Sequence, residues 1–147
     1  MNIVISADSL LGIASELPEW VREHGHEVVL WGALRPGADS AWAACSASAA
    51  EEVAAGRADQ AVICCTTGTG ASIAANKVPG VRAALCVDAF TAAGARRYND
   101  ANVLCISLRL TSATVMQEML QAWYEAEIDP RQAANIAHVK RLDQAAT

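Results

Sequence analysis

Gln60-Ala61-Val62-Ile63-Cys64-Cys65, then Thr66-Thr67-Gly68-Thr69-Gly70, then Ala71-Ser72-Ile73-Ala74-Ala75-Asn76, is the stretch that decides the fold. The first six residues carry no charge and include β-branched Val62 and Ile63, which reads as a buried strand. A strand apolar on both faces belongs inside a parallel sheet covered on each side. Two glycines then open a turn, and the alanine-rich segment after it predicts a short helix over Ala71–Asn76. The same step recurs on either side. Asn2–Ser6 and His26–Trp31 read as strands upstream, and Val81–Cys86 and Val103–Ser107 downstream. Between them lie helical spacings at Leu10–His24, where Pro18 implies a late start or a bend, and from Asp39 or Ser40 (as cap) to Ala55, with Gly56 as the stop. Further helices are expected at Phe90–Tyr98, Ala113–Ala126 and Arg131–Asp143, and Val78-Pro79-Gly80 reads as a turn. Five strands alternating with helices predict an α/β protein: a five-stranded parallel sheet between two helical layers, with right-handed crossovers, as a single domain over residues 1–147.

Composition agrees and excludes other classes. The 147 residues are 53% hydrophobic and 18% charged, enough apolar material for a core and too much for a disordered chain. A net charge of −5 argues against a nucleic-acid binder and against attraction to an anionic membrane surface. No apolar run approaches a membrane span, and the first residues lack the basic and apolar regions of a secretory leader. The five cysteines, an odd number without metal-type spacing, read as reduced thiols of a cytoplasmic protein. The three histidines, His24, His26 and His138, are too scattered for a zinc site, so no metal is expected.

In a parallel sheet the chemistry gathers beyond the carboxyl ends of the strands. This selects the loops that begin at Asp8, Cys65, Val87 and Leu108. Neither G-x-G-x-x-G nor G-x-x-x-x-G-K-[ST] occurs, and the second strand ends in Trp31 rather than an acid, so nucleotide cofactors are not implied. Asp8 has two readings, a helix cap or a group that orients a substrate hydroxyl. Cys65 also has two. In one it is a buried structural thiol beside an ordinary turn. In the other, backbone N–H groups around Gly68 and Gly70 favour a thiolate and an adjacent oxyanion, and the thiolate acts as a base on a carbon next to a carbonyl. Cys64 points to the other face of the strand and belongs to the core. Arg109 suits a phosphate or a surface ion pair. The segment Arg96–Asn102 reads as a solvated helix end followed by an Asn/Asp turn. Trp20, Trp31 and Trp123 are expected in the core. Trp42, near the start of a helix, is the tryptophan best placed to approach the site. Lys77 reads as structural and His138 as solvated.

The block Cys65-Thr66-Thr67-Gly68-Thr69-Gly70, continued by Ser72-Ile73-Ala74-Ala75-Asn76-Lys77-Val78-Pro79-Gly80-Val81-Arg82-Ala83-Ala84-Leu85-Cys86 and by Asn99-Asp100-Ala101-Asn102-Val103-Leu104, resembles the signature of the type B ribose-5-phosphate isomerase and galactose-6-phosphate isomerase family. The likeness runs in register from the first strand to about Arg131. It implies a Rossmann-like sheet and a homo-oligomer, a dimer or a tetramer of dimers, with sites shared between subunits and the helix near 131–143 packed on the partner. It implies a small-molecule sugar phosphate as substrate and a cofactor-free aldose–ketose isomerisation through an enediolate, with Cys65 as the base. The Thr67 hydroxyl and the backbone of Gly68, Thr69 and Gly70 would hold the enediolate oxygen. Asp8 and Asn99 would bind substrate hydroxyls, and Arg109 the phosphate. Arg131 would be the first arginine of a block that reaches the partner's site.

The departures from the family pattern are as informative. Ser9 and Tyr98 stand at substrate-contact positions where the family has histidines, and Gln132 and Asn135 replace basic or imidazole groups near the end. Thr66 replaces a glycine. The histidine replaced by Tyr98 is the family's ring-opening acid/base, and tyrosine, with a reference pKa near ~10, is a poor shuttle at neutral pH. Each lost charged hydrogen bond to phosphate costs roughly 1.5–3 kcal/mol. These changes imply a substrate other than ribose 5-phosphate, an open-chain sugar phosphate above all. Two alternatives stand beside that reading: one subunit of a mixed oligomer, or a non-catalytic ligand-binding module on the same scaffold.

Overall fold

A computed structural model describes residues 1–145. Strands β1 (Asn2–Ala7), β2 (Glu27–Gly32), β3 (Gln60–Cys65), β4 (Ala83–Leu85) and β5 (Val103–Ser107) form one parallel sheet in the order β2-β1-β3-β5-β4. Helices α1 (Leu17–Glu23), α2 (Trp42–Ala54), α3 (Thr69–Ala75), α4 (Ala89–Asn99), α5 (Ala113–Glu125) and α6 (Ala133–Ala145) alternate with and follow the strands. The α/β class and the five parallel strands are as the sequence predicts, and β3 and β5 match residue for residue.

The sheet divides the core in two, and β3 shows why its sequence has no polar face. Val62 and Cys64 join Leu17, Val21, Met119, Leu120 and Trp123 on one side. Ala61, Ile63 and Cys65 join Ala49, Ala50, Val53, Ala71 and Ala75 on the other. Cys64 and Cys65 therefore face opposite layers, as the period-two rule requires. Trp123 is 1% exposed and donates its indole N–H to Gln60 Oε1 at 2.8 Å, which satisfies the polar end of a ring otherwise packed in apolar surroundings.

Several boundaries differ from the sequence expectation for local reasons. Leu10–His24 divides into a 3-10 turn, Gly12–Ser15, and α1, with Pro18 in the first turn of α1, where a missing N–H breaks no helical bond. Neither Asp39 nor Ser40 caps α2. The cap residue is Ala41, whose N–H bonds Asp39 Oδ1 at 2.8 Å in a turn of its own. The predicted strand Val81–Cys86 shrinks to Ala83–Leu85, and at its amino-terminal end side-chain amides take the backbone donors: Arg82 N donates to Asn102 Oδ1 and Ala83 N to Asn76 Oδ1, each at 2.8 Å. The short helix starts two residues early, at Thr69. The last helix is preceded by a 3-10 turn, Pro130–Gln132. Asp88 and Thr91 form a reciprocal capping box at the start of α4.

Strand order reverses at β1 and β3: the chain passes from β1 outward to β2, then crosses back to β3 and on toward β4 and β5. The carboxyl ends of β1 and β3 flank a crevice at that reversal, the place where open α/β sheets bind their ligands. Asp8 follows one of these strands and Cys65 ends the other.

Candidate active site

Cys65 ends β3 on the α3 side of the sheet, 4% exposed. Its Sγ receives the backbone N–H of Gly68 at 3.1 Å and that of Ala71 at 3.4 Å. Two amide donors converging on one sulfur favour negative charge there. The loop that aims them is held from β5. Ser107 Oγ donates to Thr66 O at 2.9 Å, Leu108 N to Cys65 O at 2.9 Å and Arg109 N to Thr66 O at 3.1 Å. Gly68 turns the chain with φ +76°, and a Cβ on it would meet Leu85 Cδ1 at 2.5 Å and Ser107 N at 3.0 Å. Only glycine fits both the left-handed backbone and that close approach.

Gly70 corrects the sequence reading. It lies within α3 without a positive φ, so backbone freedom does not explain it, and the second amide on the sulfur comes from Ala71 instead. A Cβ at Gly70 would come within 2.7 Å of the Trp42 indole.

A cavity of about 420 Å³ opens beside Cys65. Asp8, Thr66, Thr67 and Thr69 give it polar lining, while Trp42, Gly70 and Ile73 complete the wall. The Thr67 and Thr69 hydroxyls bond each other at 2.7 Å on this surface. Asp8 is no helix cap: the residue that precedes the 3-10 turn is Leu11, and Asp8 Oδ1 is buried with no hydrogen-bond partner. Ser9 Oγ is equally unpartnered but does not line the cavity. A buried carboxylate oxygen left unpaired beside a cavity is suited to accept a ligand hydroxyl. Of the residues read from the sequence, the fold thus brings together Asp8, Cys65, Thr67, Thr69 and Gly70, with Gly68 behind the sulfur. Trp42 is 50% exposed, in contrast to buried Trp123 and half-buried Trp20 and Trp31. Sequence reading missed Thr66, Ile73 and the Ala71 amide as site components. Ile73 had a signal, since it falls four residues after Thr69 on the same helix face.

Tyr98, Asn99 and Arg131 are not in this cavity. Tyr98 and Asn99 end α4 just before β5, at the opposite edge of the sheet from Cys65. They border a hollow with Arg82, Asn135, Ile136 and Val139. Arg131 lies in a groove with Arg97, Glu127 and Asp129, paired to Asp129 at 2.7 Å and 86% exposed at its side chain. Arg109 is exposed near the active edge, engaged through its backbone. His138 is exposed as expected, and Lys77 is exposed as well.

The remaining four cysteines lie outside the cavity. All five thiols are free. Burial pushes Cys45, Cys64 and Cys105 up from the ordinary thiol range, and Cys86 up to about 11. Among the described residues no group of three or more His, Cys, Asp or Glu side chains is arranged to hold a metal ion, and no helix is long and apolar enough to cross a membrane.

Residues 3–144 match the sequence pattern of the family described as Ribose/Galactose Isomerase. The chain belongs to that family. Its relatives include a galactose-6-phosphate isomerase subunit, LacB, of Clostridium acetobutylicum, 34% identical over 98% of this chain and 83% of the relative. A D-erythrulose-4-phosphate isomerase of Mycolicibacterium smegmatis is 39% identical over 59% of this chain and 57% of its own. The structure of ribose-5-phosphate isomerase B from Clostridium thermocellum superposes with a TM-score of 0.89 at 31% identity, covering 100% of both chains. This protein is therefore a sugar-phosphate isomerase homologue with the Rossmann-like fold of its relatives.

Proposed function

We propose that this protein interconverts the aldose and ketose forms of an acyclic, four-carbon sugar phosphate by proton transfer between C1 and C2. The observation that carries the reading is Cys65 Sγ, held by the Gly68 and Ala71 amides at the wall of a cavity that also presents the unpaired Asp8 carboxylate. As thiolate, Cys65 takes the proton from the carbon next to the carbonyl. The carbon–hydrogen electron pair moves into the carbon–carbon bond, and the carbonyl oxygen becomes the enediolate oxygen. Hydroxyl donors at Thr67 and Thr69 stabilise that charge, and Asp8 accepts from a substrate hydroxyl. Return of the proton from sulfur to the neighbouring carbon, with the hydroxyl proton moving between the two oxygens, completes the isomerisation without a cofactor.

Tyr98, at the position of the family's ring-opening histidine, supports an open-chain substrate. A four-carbon aldose or ketose phosphorylated on its fourth carbon has no free hydroxyl that reaches the carbonyl to close a five-membered ring, so it needs no ring opening. The similarity to an isomerase named for erythrulose 4-phosphate points the same way. Progress curves followed by NMR on erythrulose 4-phosphate, ribulose 5-phosphate and tagatose 6-phosphate test this directly. The four-carbon compound is expected to give the highest kcat/KM, and preference for the five-carbon compound would refute the substrate assignment.

The separation of Tyr98, Asn99 and Arg131 from Cys65 supports assembly with a second copy. Leu10, Leu11, Ile73, Leu85, Val87, Phe90 and Leu110, all 37–81% exposed, lie on the loops, the end of β4 and the helices α3 and α4 around the active edge. An apolar rim of this extent is suited to a subunit interface. In a two-fold pair, each subunit's Tyr98 corner and Arg131 then complete the partner's cavity, with Arg131 and Arg109 on the phosphate. A mixed oligomer is the second reading, favoured by the name of the C. acetobutylicum relative, a subunit.

A further inference from the structure

Trp42 is the first residue of α2 and half of its surface is open. Its six-membered ring lies over Gly70, where an added Cβ would stand 2.7 Å from Cε3, 3.1 Å from Cζ3 and 3.2 Å from Cδ2. Gly70 sits in the first turn of α3 without a positive φ. Glycine is poorly suited to a helix interior, costing about 1 kcal/mol against alanine, so its use here has a steric cause: it makes room for the indole. The same ring lines the cavity that holds Cys65 and Asp8.

We propose that Trp42, seated on Gly70, sets the length and form of carbohydrate phosphate the site accepts. It admits acyclic four-carbon phosphates and excludes five-carbon and cyclic ones. The inference rests on the isomerase reading of the Cys65 cavity. With C1 and C2 of a substrate at Cys65 Sγ and its hydroxyls toward Asp8 and the threonines, the carbon chain runs along a polar floor. The indole closes the wall next to Gly70. Its aromatic carbons offer an apolar surface to the substrate's C–H groups. A longer chain, or the width of a furanose ring, meets the indole where it rests on Gly70. Ile73 extends this wall from α3.

The test uses the non-reacting alditol phosphates erythritol 4-phosphate and ribitol 5-phosphate, with dissociation constants measured by calorimetry on the full-length protein. Wild type, Trp42→Ala and Trp42→Phe are compared. Alanine suits the first turn of a helix, and unchanged melting temperatures confirm folding. The wild type is expected to bind the four-carbon compound at least tenfold more tightly. Trp42→Ala is expected to reduce that ratio tenfold, and Trp42→Phe to fall between. A ratio changed less than twofold in Trp42→Ala, or a wild type that binds neither compound, overturns the inference. Exchange chemistry at Cys65 separates the two levels. Isomerisation that depends on Cys65 with an unaltered ratio removes the role of Trp42 and leaves the reaction. A shifted ratio without isomerisation removes the reaction and leaves Trp42 as the selector of ligand length.

Discussion

Gly68 donates its backbone N–H to Cys65 Sγ at 3.1 Å from a left-handed conformation with no room for a side chain. The amide aimed at the sulfur and the backbone strain are thus joined at one residue. Gly68→Ala is expected to destabilise the protein by about 1–3 kcal/mol, the usual cost of a non-glycine residue in such a region. It is also expected to lower turnover by about 10²-fold, comparable to loss of one preorganised donor. Urea unfolding and initial rates read the two effects separately. An unaffected rate in a destabilised variant would show that the amide serves only the fold.

Thiol chemistry distinguishes Cys65 from the rest. Cys45, Cys64, Cys86 and Cys105 are buried away from the cavity, with thiols pushed up by desolvation, whereas Cys65 lines the cavity and receives two amides. Iodoacetamide at neutral pH is expected to modify Cys65 at least about tenfold faster than the others, because the thiolate is the nucleophile. Peptide mapping by mass spectrometry after short exposures gives the order, and sugar phosphate is expected to protect the site.

The shared-site arrangement predicts complementation. Cys65→Ala and Arg131→Ala are each expected to be nearly inactive as pure proteins. Unfolded together and refolded, half of the dimers are mixed, and each has one site with both groups intact. About a quarter of wild-type activity is therefore expected. Among the described residues Arg131 pairs with neighbouring Asp129 on the surface, so its removal leaves the subunit core untouched. No recovery on mixing would place Arg131 outside the partner's site.

Much of this architecture was legible in the sequence, for identifiable reasons. β3 and β5 are uninterrupted apolar runs, and their limits are set by the residues themselves. β4 was read too long, and at its amino-terminal end Asn76 and Asn102 take the backbone donors from elsewhere in the chain, which no local pattern shows. Cys65 and Asp8 are recognisable as residue types in loops at strand ends, and Thr67 through the family resemblance. The Ala71 amide is not, since every residue but proline carries that donor and only the fold decides where it points. Gly70 was assigned to the turn, but its role is steric and depends on Trp42, 28 positions away. Asn99 and Arg131 match the family pattern and Tyr98 departs from it, yet within one subunit all three lie outside the Cys65 cavity.

Stability depends on a buried polar contact remote from the site. Gln60→Ala leaves the Trp123 indole N–H unpaired in the core and is expected to cost about 1–3 kcal/mol. Activity per folded molecule is expected to be unchanged. Chemical denaturation measures the first and active-site-titrated rates the second.

A pH effect on stability follows from His26. Burial, with the N-terminal amino group and His24 nearby, holds its imidazole below the ordinary value of 6.5, and its ring packs against Tyr124 at 4.6 Å. The unfolded chain therefore binds the proton first as pH falls. The contribution of neutral His26 is complete above pH 6.5 and is lost progressively below it. Melting temperatures measured between pH 7.5 and 5 are expected to fall less in His26→Phe than in wild type.

The central claim concerns the hydrogen on the carbon beside the carbonyl. In deuterated water, wild type is expected to exchange that hydrogen of a four-carbon ketose phosphate, read by proton NMR, and Cys65→Ala is expected to exchange none above the uncatalysed rate. Exchange that persists in the folded Cys65→Ala variant would contradict the assignment of the base.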